Sequence, residues 1–273
     1  MSAVESAAGG KLPETRPQTR YGSLVARIVL PALTFVALIG LWWLATIIFD
    51  WPSYIVPTPL EVWNEMVDQW SFLMANLRTT LWEALIGFTL AIAIAVPFAV
   101  AITYSRLLEL TIYPALVALN AIPKIAIAPL LVIWMGFGAG PKIVMVILIC
   151  FFPIVISTAT GLKSTPSEIV ELSESLSTST LQDFVRFRFP FSLPYVFVGL
   201  KVAITLAVIG AVVGEFVGAT KGLGYVIVAS GQNANTTLAF VAIVLLSLMS
   251  IVLFYAIVLV QRLVVPWSEE MQR

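Results

Sequence analysis

The sequence predicts an all-α membrane protein of six transmembrane helices with both termini in the cytoplasm. Three observations carry this. Of 273 residues, 60% are hydrophobic and 11% are charged, with a mean hydropathy of +1.00, whereas soluble domains carry roughly 25% charged residues. Six separate runs approach or exceed the roughly 20 apolar residues that a span needs. The lysines and arginines between those runs fall mostly on one side, as cytoplasmic loops require.

Residues 1–27 are polar, with Gly9, Gly10, Pro13 and Pro17, and read as a disordered tail. The apolar body runs from 28 to 266 and a short tail from 267 to 273. The spans are placed at about 28–49, 79–104, 111–137, 141–162, 194–218 and 237–261. The first is too long for a signal-peptide core and lacks a small-residue cleavage site. Unbroken apolar runs favour helices, which satisfy their own backbone hydrogen bonds, over the weak alternating segments of a barrel. With the N-terminus inside, Lys11, Arg16, Arg20, Arg27, Arg106, Lys163, Arg186, Arg188, Arg262 and Arg273 are cytoplasmic; Arg78, Lys142 and Lys221 are outside. In the outer stretch 50–77, Val62, Trp63, Met66, Trp70 and Leu73 recur at helical spacing. This reads either as an interfacial amphipathic helix or as a connecting helix packed on its own spans.

The segment 164–193 is polar and lies between two apolar runs. Thr165, Pro166 and Glu168 form a capping-box pattern with proline at the first helical position. Ile169, Leu172 and Leu176 then make an apolar stripe over a short helix at about 166–176. Ser179 and Gln182 offer a second capping box, opening another short helix that is expected to end before Pro190. Such a segment is either a plain surface hairpin or a docking element for a cytoplasmic partner.

Much chemistry is excluded. The chain has no histidine and one cysteine, so His-based metal sites, Ser/His triads and disulfides within the chain are absent. No P-loop pattern occurs, and "GATKGLG" at 218–224 lacks its order. No aspartate lies in a span. Catalysis by this chain alone is not expected, nor is a cofactor of its own, and zero formal net charge gives no sign of nucleic-acid binding.

"ELSESLSTSTLQDFVRFRFPFSLPYVFVGLKVAI" resembles the signature loop of permease subunits in binding-protein-dependent ABC importers. Glu171-Leu172-Ser173 stands at the family's Glu-Ala-Ala, Ser177 at its glycine, and Phe189-Pro190 at its Leu-Pro. "PSYIVPTPLEVW" (52–63), "IPKIAIAPLLVIWMGFG" (122–138) and "IGAVVGEFVGATKGLGYVI" (209–227) are similar to segments of the nitrate, sulfonate, taurine and pyrimidine-precursor branch. The resemblance covers about 28–266. Two departures stand out: Leu-Ser replaces Ala-Ala, and Ser177 replaces a glycine that normally supplies a left-handed backbone. Serine in that conformation costs about 1 kcal/mol, which leaves the geometry of the turn open.

The resemblance implies a type I importer permease fold in a prokaryotic plasma (inner) membrane. It implies a second permease chain, a homodimer in this branch. It also implies two cytoplasmic ABC ATPase subunits that hold ATP and Mg, and an extracytoplasmic substrate-binding protein. The ATPase contacts carried over are Glu171, Leu172, Ser175, Leu176, Ser177 and Thr178. Pairing also follows from size: six helices are few to enclose a path for a solute, and with no internal repeat the other half must be another chain.

Charged residues inside spans are costly and face protein or a cavity. Lys124 lies midway in the third span, where Pro114, Pro123 and Pro129 are expected to interrupt the helix. It reads either as a pathway residue or as a lysine paired with Glu215 or with freed carbonyls. Asn120 and Glu215 are further pathway candidates. Glu83 is expected to reach the interface, Lys201 to snorkel, and "GLGY" at 222–225 to form a turn. Trp134 and Phe137 read as a gate or as belt packing. "GQNANTT" at 231–237 is an outer loop suited to the binding protein. Two other functions stay open from the residues alone: a self-sufficient secondary transporter, which needs repeats and deep carboxylates, and a membrane scaffold using the 164–193 insert.

Overall fold

The computed structural model describes residues 24–269 apart from Ser177. The tail expected at 1–27 therefore lies almost wholly outside the described residues, as do 270–273. The described residues up to Asp50 form one compact unit and those from Trp51 onward a second. The first contains α1 (Leu24–Ile48), whose segment Val29–Ile48 is apolar and long enough to cross a membrane. No strand occurs among the described residues.

In the second unit α2 (Pro59–Asp68) opens on a true capping box: Thr58 Oγ1 accepts from the Glu61 N–H, and the Glu61 carboxylate accepts from the Thr58 N–H. The single helix expected along the 62–73 stripe is not found. Gln69 ends α2 and Trp70 starts α3 (Trp70–Tyr104), so the second span begins nine residues before position 79. The supposed stripe is divided accordingly: Val62 and Leu73 are buried, whereas Trp63 and Trp70 are exposed.

The third span is two helices, α4 (Arg106–Asn120) and α5 (Ala128–Met135), joined by a 3₁₀ turn at Lys124–Ile127 and bent by 82°. Only one of the three prolines coincides with the break. Pro123 disfavours helix in the residue before it and is itself extended, with ψ of 96°. Pro114 sits inside α4, and Pro129 occupies the first turn of α5, where its missing N–H costs nothing.

Next come α6 (Ala139–Lys163), α7 (Ser167–Ser175) and α8 (Thr180–Asp183), then a π-turn at Phe184–Arg188 that runs directly into α9 (Phe189–Phe216). The second insert helix therefore does not stop before Pro190; it is the foot of the fifth span. The π-turn is where Pro190 is accommodated: the Phe189 N–H bonds the Phe184 carbonyl, five residues back, just where proline disrupts ordinary α-helical bonding. A short helix, α10 (Leu223–Gln232), follows where a plain turn was expected, and α11 (Thr236–Val264) is the last span.

The core is α6 packed between α3 and α9. In lipid no hydrophobic drive brings helices together, so close approach depends on small residues. On α3 these are Gly87, Ala91, Ala95 and Ala99, four apart and all buried. On α9, Gly199 meets Ser157, Gly210 meets Val146 and Gly214 meets Lys142, in one antiparallel register along α6. A Cβ on Gly210 would stand 2.9 Å from Val146 Cα, and one on Gly87 would stand 2.5 Å from Val146 Cβ.

Candidate coupling and pathway sites

The 164–193 insert folds as a hairpin of α7 against α8 and the π-turn. Its first expected capping box is not made: Thr165 Oγ1 is buried and has no hydrogen-bond partner among the described residues. The second is made, the Ser179 N–H donating to Gln182 Oε1 at 3.1 Å and the Gln182 N–H to Ser179 Oγ at 3.4 Å. Four apolar side chains of the hairpin stay exposed: Leu172 (49%), Leu176 (61%), Leu181 (70%) and Val185 (54%). Glu171 and Ser175 are exposed beside them, with Ser175 Oγ donating to the Glu171 carbonyl. Thr178 differs from the other candidates. Its hydroxyl turns inward, 2.7 Å from Ser173 Oγ. Ser177 lies outside the described residues.

Sequence reasoning missed what lies beneath that surface. Ser173 is 2% exposed. Its hydroxyl donates to Asp183 Oδ1 at 2.8 Å, and Arg188 Nε donates to Asp183 Oδ2 at 2.7 Å. The Arg188 guanidinium lies 5.7 Å from the centroid of the Tyr104 ring at the end of α3.

Asn120 and Lys124 come together at the break of the third span, where Lys124 Nζ donates to Asn120 Oδ1 at 2.6 Å. Lys124 does not pair with Glu215. That carboxylate accepts from Thr80 Oγ1 at 2.7 Å and from the Gly224 N–H at 2.6 Å. The structure thus brings two of the three pathway candidates together and gives the third a separate buried site.

Around Glu215 the spans are joined by polar groups. The Leu223 N–H donates to Thr80 Oγ1 and the Gly222 N–H to Asn76 Oδ1, each at 2.8 Å. The start of α10 is thereby held by side chains of α3 and α9, with the Glu215 carboxylate at a helix N-terminus that favours negative charge. Gly222 is required: its φ is +112°, and a Cβ there would fall 2.0 Å from Glu215 Oε1. Beside this cluster Lys142 of α6 donates to Glu83 Oε1 of α3 at 2.7 Å. Glu83 does not reach the interface as expected, and Lys142, expected outside, is buried with it; Glu83 is 4% and Lys142 7% exposed. A cavity of about 610 Å³ adjoins the pair, lined also by Thr79, Phe137, Thr220 and Lys221. Trp134 and Phe137 are both exposed.

In the outer-loop candidate "GQNANTT", residues 231–234 are exposed, while Asn235 and Thr236 make structural contacts. Asn235 Oδ1 caps α11 through the Leu238 N–H, its Nδ2 reaches Glu65 of α2 at 3.4 Å, and the Thr236 hydroxyl donates to the Tyr54 carbonyl.

Residues 87–269 match the family described as "Binding-protein-dependent transport system inner membrane component". Among relatives, a probable ABC transporter permease protein of Haemophilus influenzae is 34% identical over 85% of this chain and 94% of its own. The formylaminopyrimidine transport permease protein ThiX of Halalkalibacterium halodurans is 34% identical over 88% and 96%, and the riboflavin transport system permease protein RibX of Chloroflexus aurantiacus is 36% identical over 94% and 98%. An inward-facing structure of the MetNI methionine ABC transporter matches with a TM-score of 0.64 at 20% identity, over 71% of this chain and 97% of that one. Five to six apolar helices among the described residues, a polar hairpin before the fifth span and these matches place the chain in the family of binding-protein-dependent transport system inner membrane components, as the permease component of an ABC importer.

Proposed function

We propose that the chain is one half of a two-fold permease dimer, that two ABC ATPase subunits dock on its 164–193 hairpin, and that a binding protein delivers solute to the opposite face. In this reading both termini and the hairpin are cytoplasmic, as the lysine and arginine distribution favours. The membrane is the inner membrane of a prokaryote. ATP and Mg belong to the ATPase, and this chain contributes no catalytic group.

One observation carries the reading: Leu172, Leu176, Leu181 and Val185 are exposed on a folded element whose second arm is continuous with a span. A linker needs no such face, while an apolar knob entering a groove on a partner does. Glu171 and Ser175 flank that knob, and Thr178 supports it from within. A secondary transporter has no use for this face, and a scaffold has no use for the broken third span with Asn120 and Lys124. We assign those two residues to the pathway and Glu215 to the closing of its far end.

For the solute, relatives at 34–36% identity are named for a formylaminopyrimidine and for riboflavin, while relatives at 25% are named for aliphatic sulfonates and taurine. This ordering favours a small nitrogen heterocycle, with selectivity residing chiefly in the binding protein.

The test is co-purification with the cognate ATPase. The wild-type chain is expected to retain it and Leu176→Asp to lose both the ATPase and transport. A wild-type chain that binds no ATPase, or a Leu176→Asp chain that transports normally, refutes the docking reading.

A further inference from the structure

The hairpin's exposed face accounts for docking but not for how a push on it reaches the spans. A two-helix hairpin transmits a push only if its arms are tied to each other and to the spans. The tie is the buried polar chain already described. The Thr178 and Ser173 hydroxyls are 2.7 Å apart, and the Thr178 N–H donates to the Ser173 carbonyl at 3.3 Å. Ser173 passes the chain to Asp183 Oδ1, and Asp183 Oδ2 takes Arg188.

The geometry of the last link is set by the π-turn. Asp183 and Arg188 are five residues apart. On an α-helix, neighbours are three or four apart, and residues five apart point to different sides. The wider turn at Phe184–Arg188 has a five-residue hydrogen-bond step and places the two on one side. The same turn brings the Phe184 ring edge-on to Tyr104 at 6.0 Å and against Phe189 at 5.6 Å. Arg188 completes the connection by lying over Tyr104, a favourable cation–π placement. Asp183 touches both the first arm, through Ser173, and the fifth-span foot, through Arg188; Arg188 in turn reaches α3. Ser173 stands where the family pattern has alanine, which has no hydroxyl with which to make this link.

We propose that Asp183 is a positioning residue for ATP-driven transport, locking the two arms of the hairpin to each other and to the feet of the second and fifth spans so that motion at Leu172 and Leu176 is transmitted rather than absorbed in the turn. This rests on the docking reading above.

The experiment uses the full chain reconstituted with its ATPase and binding protein. A fluorophore on Thr220→Cys, beyond the far end of α9, reports the response during ATP turnover; the native Cys150 is buried. With Asp183→Ala, the ATPase is expected to stay bound and to hydrolyse ATP within about twofold of wild type. The fluorescence response per ATP hydrolysed is expected to fall about tenfold, the scale of one lost charge-assisted hydrogen bond. Asp183→Asn keeps the acceptor for Ser173 and loses the ion pair, and is expected to fall between. Adding Ser173→Ala to Asp183→Ala is expected to change nothing more, because both break one chain. A normal response per ATP in Asp183→Ala overturns the proposal. So does loss of ATPase binding in Asp183→Asn, which would make the residue part of the docking surface. If the ATPase fails to bind the otherwise wild-type chain, the docking reading falls instead.

Discussion

Replacing Lys142 by methionine removes one partner of a buried ion pair and leaves the other in place. The ammonium donates to Glu83 Oε1 at 2.7 Å, and the two side chains are 9% and 5% exposed. Glu215 lies near enough to interact with both. Methionine preserves most of the lysine stem, so the cavity term is small. What remains is a carboxylate at a protein interior with its cation gone, beside a second carboxyl. Breaking a buried pair in this way costs roughly 3–5 kcal/mol, whereas replacing both charges by neutral groups of similar volume is often close to neutral. For a chain of this size each kcal/mol moves the melting temperature by roughly 2–4 °C. Lys142→Met is therefore expected to lower the midpoint for loss of monodisperse protein on heating in detergent by roughly 10 °C. The double variant Glu83→Gln/Lys142→Met is expected to recover most of that loss. A Lys142→Met midpoint within about 2 °C of wild type, or a double variant as unstable as the single one, would show that the pair is solvated and that the argument from burial fails.

Three further outcomes are expected. Gly222→Ala places a Cβ 2.0 Å from Glu215 Oε1 at a φ of +112°. It is expected to detach the start of α10, cost about 2 kcal/mol or more, and raise proteolytic cleavage at 218–224 while the distant hairpin stays protected. Gly210→Val forces α9 away from Val146, and overpacking of about 1–3 kcal/mol is read as lost thermal stability; an unchanged midpoint would refute close packing of α9 on α6 at this position. At α2, hydrogen bonds from the Ser53 hydroxyl and from Thr58 hold the Glu61 carboxyl below the usual value of 4.5. Its contribution is therefore complete above that value and lost as pH falls through the lowered one. Thr58→Ala is expected to weaken the α2 cap by about 1 kcal/mol and to blunt this acid dependence, measured by Trp63 fluorescence between pH 5 and pH 3 (about one unit either side of the carboxylate range).

Much of the fold was legible because a bilayer constrains it strongly. Apolar runs of the right length have few alternatives to helix, and the long apolar helices lie within a few residues of the expected bounds at most ends. The second capping box was legible because its logic is local to Ser179 and Gln182. The spacing of Gly87, Ala91, Ala95 and Ala99 was present in the sequence as well, and a search for small residues four apart would have found the packing face. Local rules failed where two signals met. Gln69 divides what looked like one amphipathic helix. Pro190 looked like a stop, yet a π-turn carries the chain through it, because the hydrogen-bond step can widen where a proline would otherwise break it.

The charged residues show the limit most clearly. The sequence by itself determined that Lys124, Lys142, Glu83 and Glu215 sit in or beside apolar runs, where each needs a partner. It determined too that the hairpin is polar, bears leucines and has a capping box at Ser179 and Gln182. Which residues become partners depends on helices that are distant in sequence. Lys142 finds Glu83 only because glycines let α6 press against α3 and α9, and Glu215 finds Gly224 only because the chain turns back after the fifth span. Asp183 reaches Arg188 only through a turn geometry that no pairwise spacing announces. Hydrophobic length and helix caps are properties of one segment, whereas charge pairing in a low-dielectric interior is a property of several packed together, and only the tertiary structure decided it.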